Sequence, residues 1–132
     1  MKIDAPLLAL AALLAASAAK HLRDPKFYYP VIPRSLCTDT SGSLAVMTRA
    51  EWVASSALLE GAAAAGLLIP ATRKAAAVAT ALMFTGFTVG HLAALQHAFG
   101  PRGTPRARLI HSLRLPLQLP LVAWAWKVRH PR

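Results

Sequence analysis

Apolar residues fall into four runs separated by short breaks, and none of the runs keeps the alternation of a strand. The first, Ala5–Ala19, follows Asp4, a natural N-cap, and carries Pro6 in the first turn, where a missing N–H is harmless. It continues to about His21. The second, Trp52–Ile69, is closed by Pro70, and the third, Ala75–Phe99, by Gly100-Pro101. The fourth, Leu109–Val128, is interrupted by Pro116 and Pro120. The pattern predicts an all-α chain with helices over about 5–21, 52–69, 75–99 and 109–128. At about 1.5 Å per residue the second run spans roughly 27 Å, close to the hydrocarbon thickness of a bilayer. The expected architecture is a four-transmembrane-helix bundle of up-down topology, one integral-membrane domain covering residues 1–132.

The breaks differ in character. A loop from His21 to Ala50 is rich in proline, tyrosine and charge, and Phe27, Tyr28 and Tyr29 are expected at the membrane surface as an aromatic belt. Its density of aromatic and proline anchors predicts an ordered cap over the bundle. A tight turn at Pro70–Lys74 joins the middle runs, and the basic stretch GPRGTPRAR joins the last two. Small residues recur every four positions at Ala57, Gly61 and Ala65, and again at Gly86 and Gly90, a spacing that lets helix backbones approach in lipid. The N-terminus mimics a signal peptide, but its fit to the bundle argues that it is retained.

Composition agrees with a membrane solvent. The chain is 55% hydrophobic with a mean hydropathy of +0.43. Lys and Arg total 15 against 5 acids, for a net charge of +10. These charges lie mostly outside the apolar runs, as anchors for anionic headgroups; no nucleic-acid partner is expected. Basic residues are spread almost evenly over the two sides, so charge leaves the orientation open. Cys37 is the single cysteine, which excludes an internal disulfide.

Against this background Glu60 stands out, alone in a run of Val, Ala, Ser, Leu, Gly and Ile. A charge at mid-membrane costs about 2.5–3.5 kcal/mol or more. Such a group faces the protein interior and finds partners. Glu60 lies about 12 Å below the start of its run, and His91 about 12 Å below the end of the third. Arg114 and Gln118 reach a similar level from the fourth, roughly 8 and 13 Å down. His21 ends the first run on the same side. The expected site is therefore Glu60, His91, Arg114, Gln118 and His21, with Glu60 and Arg114 in direct or one-water contact. Such a cluster could be a ligand pocket, a locking ion pair or a catalytic centre. His91 and His97 point to different helix faces, and no metal site is expected.

Three stretches carry a family resemblance. KHLRDPKFYYPVIPRSL, LLEGAAAAGLLIPATRKAAA and LRLPLQLPLVAWAW occur in this order and cover much of the chain. Together they resemble the segment after the first span, the second span and the last span of DoxX-like small membrane proteins. Thr88-Val89-Gly90-His91 departs from a Pro-Ala-Asn common in that family. The resemblance implies a four-helix membrane bundle, sometimes tied to membrane redox complexes, and marks His21, Pro25, Glu60, Arg73, Arg114 and Gln118.

The leading expectation is an accessory subunit of a membrane redox or lipid-handling complex, with a polar-lined cleft for a lipid or quinone and no other cofactor. Its partners would be the bilayer and another membrane protein or a second copy. The expected location is the bacterial inner membrane, crossed several times. The alternatives are a small membrane enzyme with Glu60 as acid or base, and a proton-coupled transporter using Glu60 and His91.

Overall fold

Side-chain caps fix where three of the four α-helices begin. In the computed structural model, which describes residues 3–130, Asp4 accepts from the Leu7 N–H at 3.0 Å and starts α1 (Ala5–Arg23). Thr48 and Glu51 form a reciprocal capping box that starts α2 (Arg49–Leu68). After a tight turn comes α3 (Arg73–Ala98). Thr104 accepts from Ala107 N–H at 3.1 Å and starts α4 (Pro105–Lys127). The class is all-α; among the described residues the nearest thing to a sheet is one isolated bridge between Cys37 and Met47.

The starts of α2 and α4 differ from the sequence-based ones. α2 begins at Arg49 rather than Trp52, because the capping box sits ahead of the apolar run. α4 begins at Pro105 rather than Leu109, because Thr104-Pro105 supplies a cap and a preset first turn. It also runs on through Pro116 and Pro120. α1 and α3 are long and apolar enough to cross a membrane, with mean hydropathies of 1.5 and 1.6. α2 is diluted by Ser, Gly and Glu, and α4 by Arg, His, Gln and Pro.

The helices pack as two pairs, α1 on α2 and α3 on α4, joined through α2 and α3. α1 and α4 meet only sparsely, and Trp124 Nε1 ties them by donating to the Pro6 carbonyl at 3.0 Å. The core has two halves. Near the 69–72 turn it is mainly apolar: Leu7, Leu10 and Leu14 pack with Leu67, Ala77 and Phe84, and Arg73 and Thr80 are the buried polar exceptions. Near the long loop it is polar, with Glu60, His91 and Gln118 buried. The outside is the reverse: Leu58 is 75% exposed and Leu119 77%, while Glu60 is only 2% exposed.

The small-residue stripes do not form the helix contacts expected of them. Ala57 is buried, but a Cβ on Gly61 would meet nothing within 4 Å and Ala65 is exposed. The buried face of α2 runs through Val53, Ala57, Glu60, Ala64 and Leu67 instead. Gly86 also faces open space. Gly90 does have a close neighbour, but it is the Val31 backbone carbonyl, which occupies the place of its missing side chain.

That carbonyl belongs to the long loop, which is ordered as three 3-10 segments: Pro25–Val31, Arg34–Leu36 and Thr38–Thr40. The first rests on α1, α2 and α3. Trp52 Nε1 donates to the Leu36 carbonyl at 2.8 Å, and Arg49 holds Asp39 at 2.9 Å. Cys37, between the second and third of these segments, is fully buried.

Candidate functional site

The loop closes a cavity of about 200 Å³ in the polar half of the bundle. His21 from α1, Glu60 from α2, His91 from α3, and Arg114 and Gln118 from α4 all line it. The fixed rise of an α-helix brings these residues to one level, as the depth argument requires.

Their pairing differs from the expected one. Among the described residues Glu60 and Arg114 form no ion pair. Glu60 is held from α1. Ser17 Oγ donates to its Oε1 at 3.0 Å, and His21 Nδ1 lies 3.3 Å from its Oε2. The close pairing of α1 with α2 explains this choice, since it sets Ser17 and His21 directly against Glu60. Arg114 turns toward the loop, its guanidinium carbon 5.4 Å from the centre of the Phe27 ring. A cation over an aromatic face is an alternative to a carboxylate partner.

The histidine tautomer follows from its neighbours. His21 Nδ1 lies 2.7 Å from the Ser17 carbonyl, which can only accept, so Nδ1 carries a proton and donates it there. The Glu60 Oε2 contact is then electrostatic, and Oε2 keeps its lone pairs unpaired. His91 Nδ1 and Gln118 Oε1 are likewise buried without a partner. Three orphaned polar atoms thus belong to residues that line one cavity. Unpaired buried groups cost about 1–3 kcal/mol each, so a polar group bound here would be strongly held.

Two members of the site were missed by sequence reasoning. Ser17 is the one polar side chain in Ala5–Ala19 and stands one helical turn before His21, a signal that was legible. Tyr28 is not a belt residue. Its ring stacks on His21 with centroids 3.7 Å apart, and it lines the cavity. Burial pushes the Tyr28 hydroxyl above its usual value. Phe27 stays at the surface, edge-on to Tyr28. His111 is buried in α4 but does not line the cavity, and His97 lines a separate surface pocket. Arg73 is also remote. It is 2% exposed and donates Nε to the Leu67 carbonyl at 2.9 Å, capping the end of α2.

The geometry does not activate a serine. Ser17 donates to a carboxylate, while His21 spends its Nδ1 proton on a backbone carbonyl. A nucleophile would need the histidine as its base, between serine and acid.

Residues 10–129 match the model of a family described as a domain of unknown function, DUF8561, and the chain belongs to that family. No curated protein and no solved structure matches it. The family match overturns the DoxX resemblance. The stretches that suggested it combine Ala/Leu-rich helix, a proline stop and an arginine anchor, features too general to single out one family.

Proposed function

We propose that this member of the DUF8561 family is a four-span membrane protein that binds the polar head of an apolar ligand, a quinol or a hydroxyl-bearing lipid, in its central cavity. The carrying observation is that Glu60, Gln118 and His91, which line one cavity, each hold a buried polar atom without a partner: Oε2, Oε1 and Nδ1. Two of the three are acceptors. A head that donates hydrogen bonds fits them; a purely accepting head does not.

The membrane part rests on the inverted surface. Leucines face outward on all four helices, while the titratable groups Glu60 and His91, in the middle stretches of α2 and α3, face inward. In water this arrangement would leave a large apolar surface exposed; in lipid it satisfies both solvents. A helical bundle, not a closed barrel, suits a bacterial inner membrane. The Ser17–Glu60–His21 geometry speaks against a serine nucleophile, which removes one route to chemistry at this site. The redox part of the accessory-subunit expectation drew on the DoxX resemblance and loses that support with the family match.

The test has two arms. Alkaline extraction should leave the protein in the membrane pellet. A solvent extract of protein purified in mild detergent should contain a near-stoichiometric quinone or hydroxyl-bearing lipid. Replacing Glu60 with Gln and Gln118 with Leu together should lower its yield by about tenfold, the equivalent of one lost hydrogen bond of the stronger kind. An extract no richer than a detergent blank sinks the binding part.

A further inference from the structure

Two more cavities lie outside the central one, stacked along the seam between α2 and α3. The upper is a pocket of about 350 Å³ at the loop surface, lined by Lys26, Tyr29, Arg34, Arg49, Ala93 and His97. The lower is an apolar groove of about 570 Å³, lined by Trp52, Leu59, Ala79, Met83, Gly86 and Phe87 among others. Ile32 and Pro33 border both, so the two adjoin.

The upper pocket is cationic. Asp39 engages Arg49, which also lies 4.9 Å over the Tyr29 ring. Lys26 and Arg34 are exposed and form no ion pair among the described residues. The pocket therefore keeps an excess of positive charge at the loop end of the bundle. The groove below follows α3 from Gly90 to Ala79, about 16 Å along the helix axis. Gly86 opens it, since a Cβ there would meet nothing within 4 Å.

We propose that this seam binds one anionic phospholipid, with its phosphate among Lys26, Arg34 and Arg49 and one acyl chain in the groove beneath. Charge complementarity selects the headgroup, because a zwitterionic lipid brings its own cation into a pocket that already has several. The apolar groove selects a lipid over a free phosphate. A partner helix is disfavoured, since the cationic pocket would offer it nothing. The proposal rests on the membrane-spanning reading of the bundle but not on the ligand of the central cavity.

The test is native mass spectrometry of the full chain, purified from membranes in mild detergent and titrated with phosphatidylglycerol or phosphatidylcholine. One phosphatidylglycerol should be retained in preference to phosphatidylcholine by about tenfold. Lys26→Ala with Arg34→Ala should remove that preference, and both positions are exposed, so the fold should survive. Gly86→Phe should weaken both lipids together while circular dichroism shows unchanged helix. Glycerol 3-phosphate should not displace the lipid. Equal binding of the two lipids by the wild type, an unaltered preference in the double alanine variant, or displacement by glycerol 3-phosphate would each overturn the proposal. Recovery of the chain in the soluble fraction without detergent would instead overturn the membrane reading beneath it.

Discussion

Ser17→Ala is the sharpest single perturbation of the cavity. It removes a 3.0 Å hydrogen bond to a carboxylate that is 2% exposed, where bulk water gives little compensation. Hydrogen bonds to charged groups contribute about 1.5–3 kcal/mol, and those between neutral groups about 0.5–1.5. The expected cost is therefore about 2 kcal/mol. No bulk is lost beyond one oxygen, and the Ser17 carbonyl that receives His21 Nδ1 remains, so packing adds little. In a Glu60→Leu background the acceptor is gone, and the same change should cost almost nothing. The difference is a coupling energy of about 2 kcal/mol, readable in a double-mutant cycle. Unfolding in mixed micelles with an anionic detergent, followed by far-ultraviolet circular dichroism, supplies the four free energies. Glu60 with Arg114 is the comparison cycle and should give the smaller coupling. Equal costs of Ser17→Ala in both backgrounds, or a larger coupling to Arg114, would refute the arrangement described here.

Three other outcomes follow from the loop and α3. Gly86→Ala should stabilise the protein by about 0.5–1 kcal/mol, as a helix-interior alanine facing open space. Gly90→Ala should destabilise it by about 1–3 kcal/mol, because the new Cβ meets the Val31 carbonyl; thermal unfolding separates the signs. Trp52→Phe should cost about 1 kcal/mol by removing the shorter of the two hydrogen bonds to the Leu36 carbonyl, which keeps only the Val46 N–H at 3.4 Å, and should speed limited proteolysis of the loop. The Asp39 carboxyl is held below the usual carboxylate range, chiefly by the side-chain hydrogen bond from Arg49. Its folded value lies below its unfolded one, so its contribution is present above the unfolded value and lost as pH falls through the folded value. Protease sensitivity of the loop should rise on acidification, and Asp39→Asn should flatten that dependence.

The helices were legible because apolar runs and stop signals are local. The level of the polar cluster was also legible, since a fixed rise per residue converts sequence position to depth. Rotation about each helix axis and the choice of neighbour were not. These decide that Glu60 meets Ser17 and not Arg114, and they come from packing of whole faces. Periodicity of small residues misled for the same reason: Ala is so common in α2 that Ala57, Gly61 and Ala65 align by chance, while the buried stripe runs through Val53 and Leu67. Tyr28 was read as a surface aromatic because composition cannot reveal which way a 3-10 turn directs a ring. The stretches likened to the DoxX-like family are built from common helix, stop and anchor residues, and the family match assigns the chain to DUF8561 instead.

The sparse meeting of α1 and α4 has a consequence for how any ligand reaches the cavity. Trp124 pins that seam at the Pro6 end, and the loop covers the top, while Leu13 and Leu121 line the cavity from the two helices between. In the membrane-spanning reading proposed above, this sparsely packed seam would face the bilayer, and a ligand arriving there would already have partitioned into lipid. Occupancy would then follow the mole fraction of ligand among lipids, not its molarity in the buffer. Added detergent or empty vesicles would lower apparent affinity by dilution alone, with every contact in the cavity unchanged.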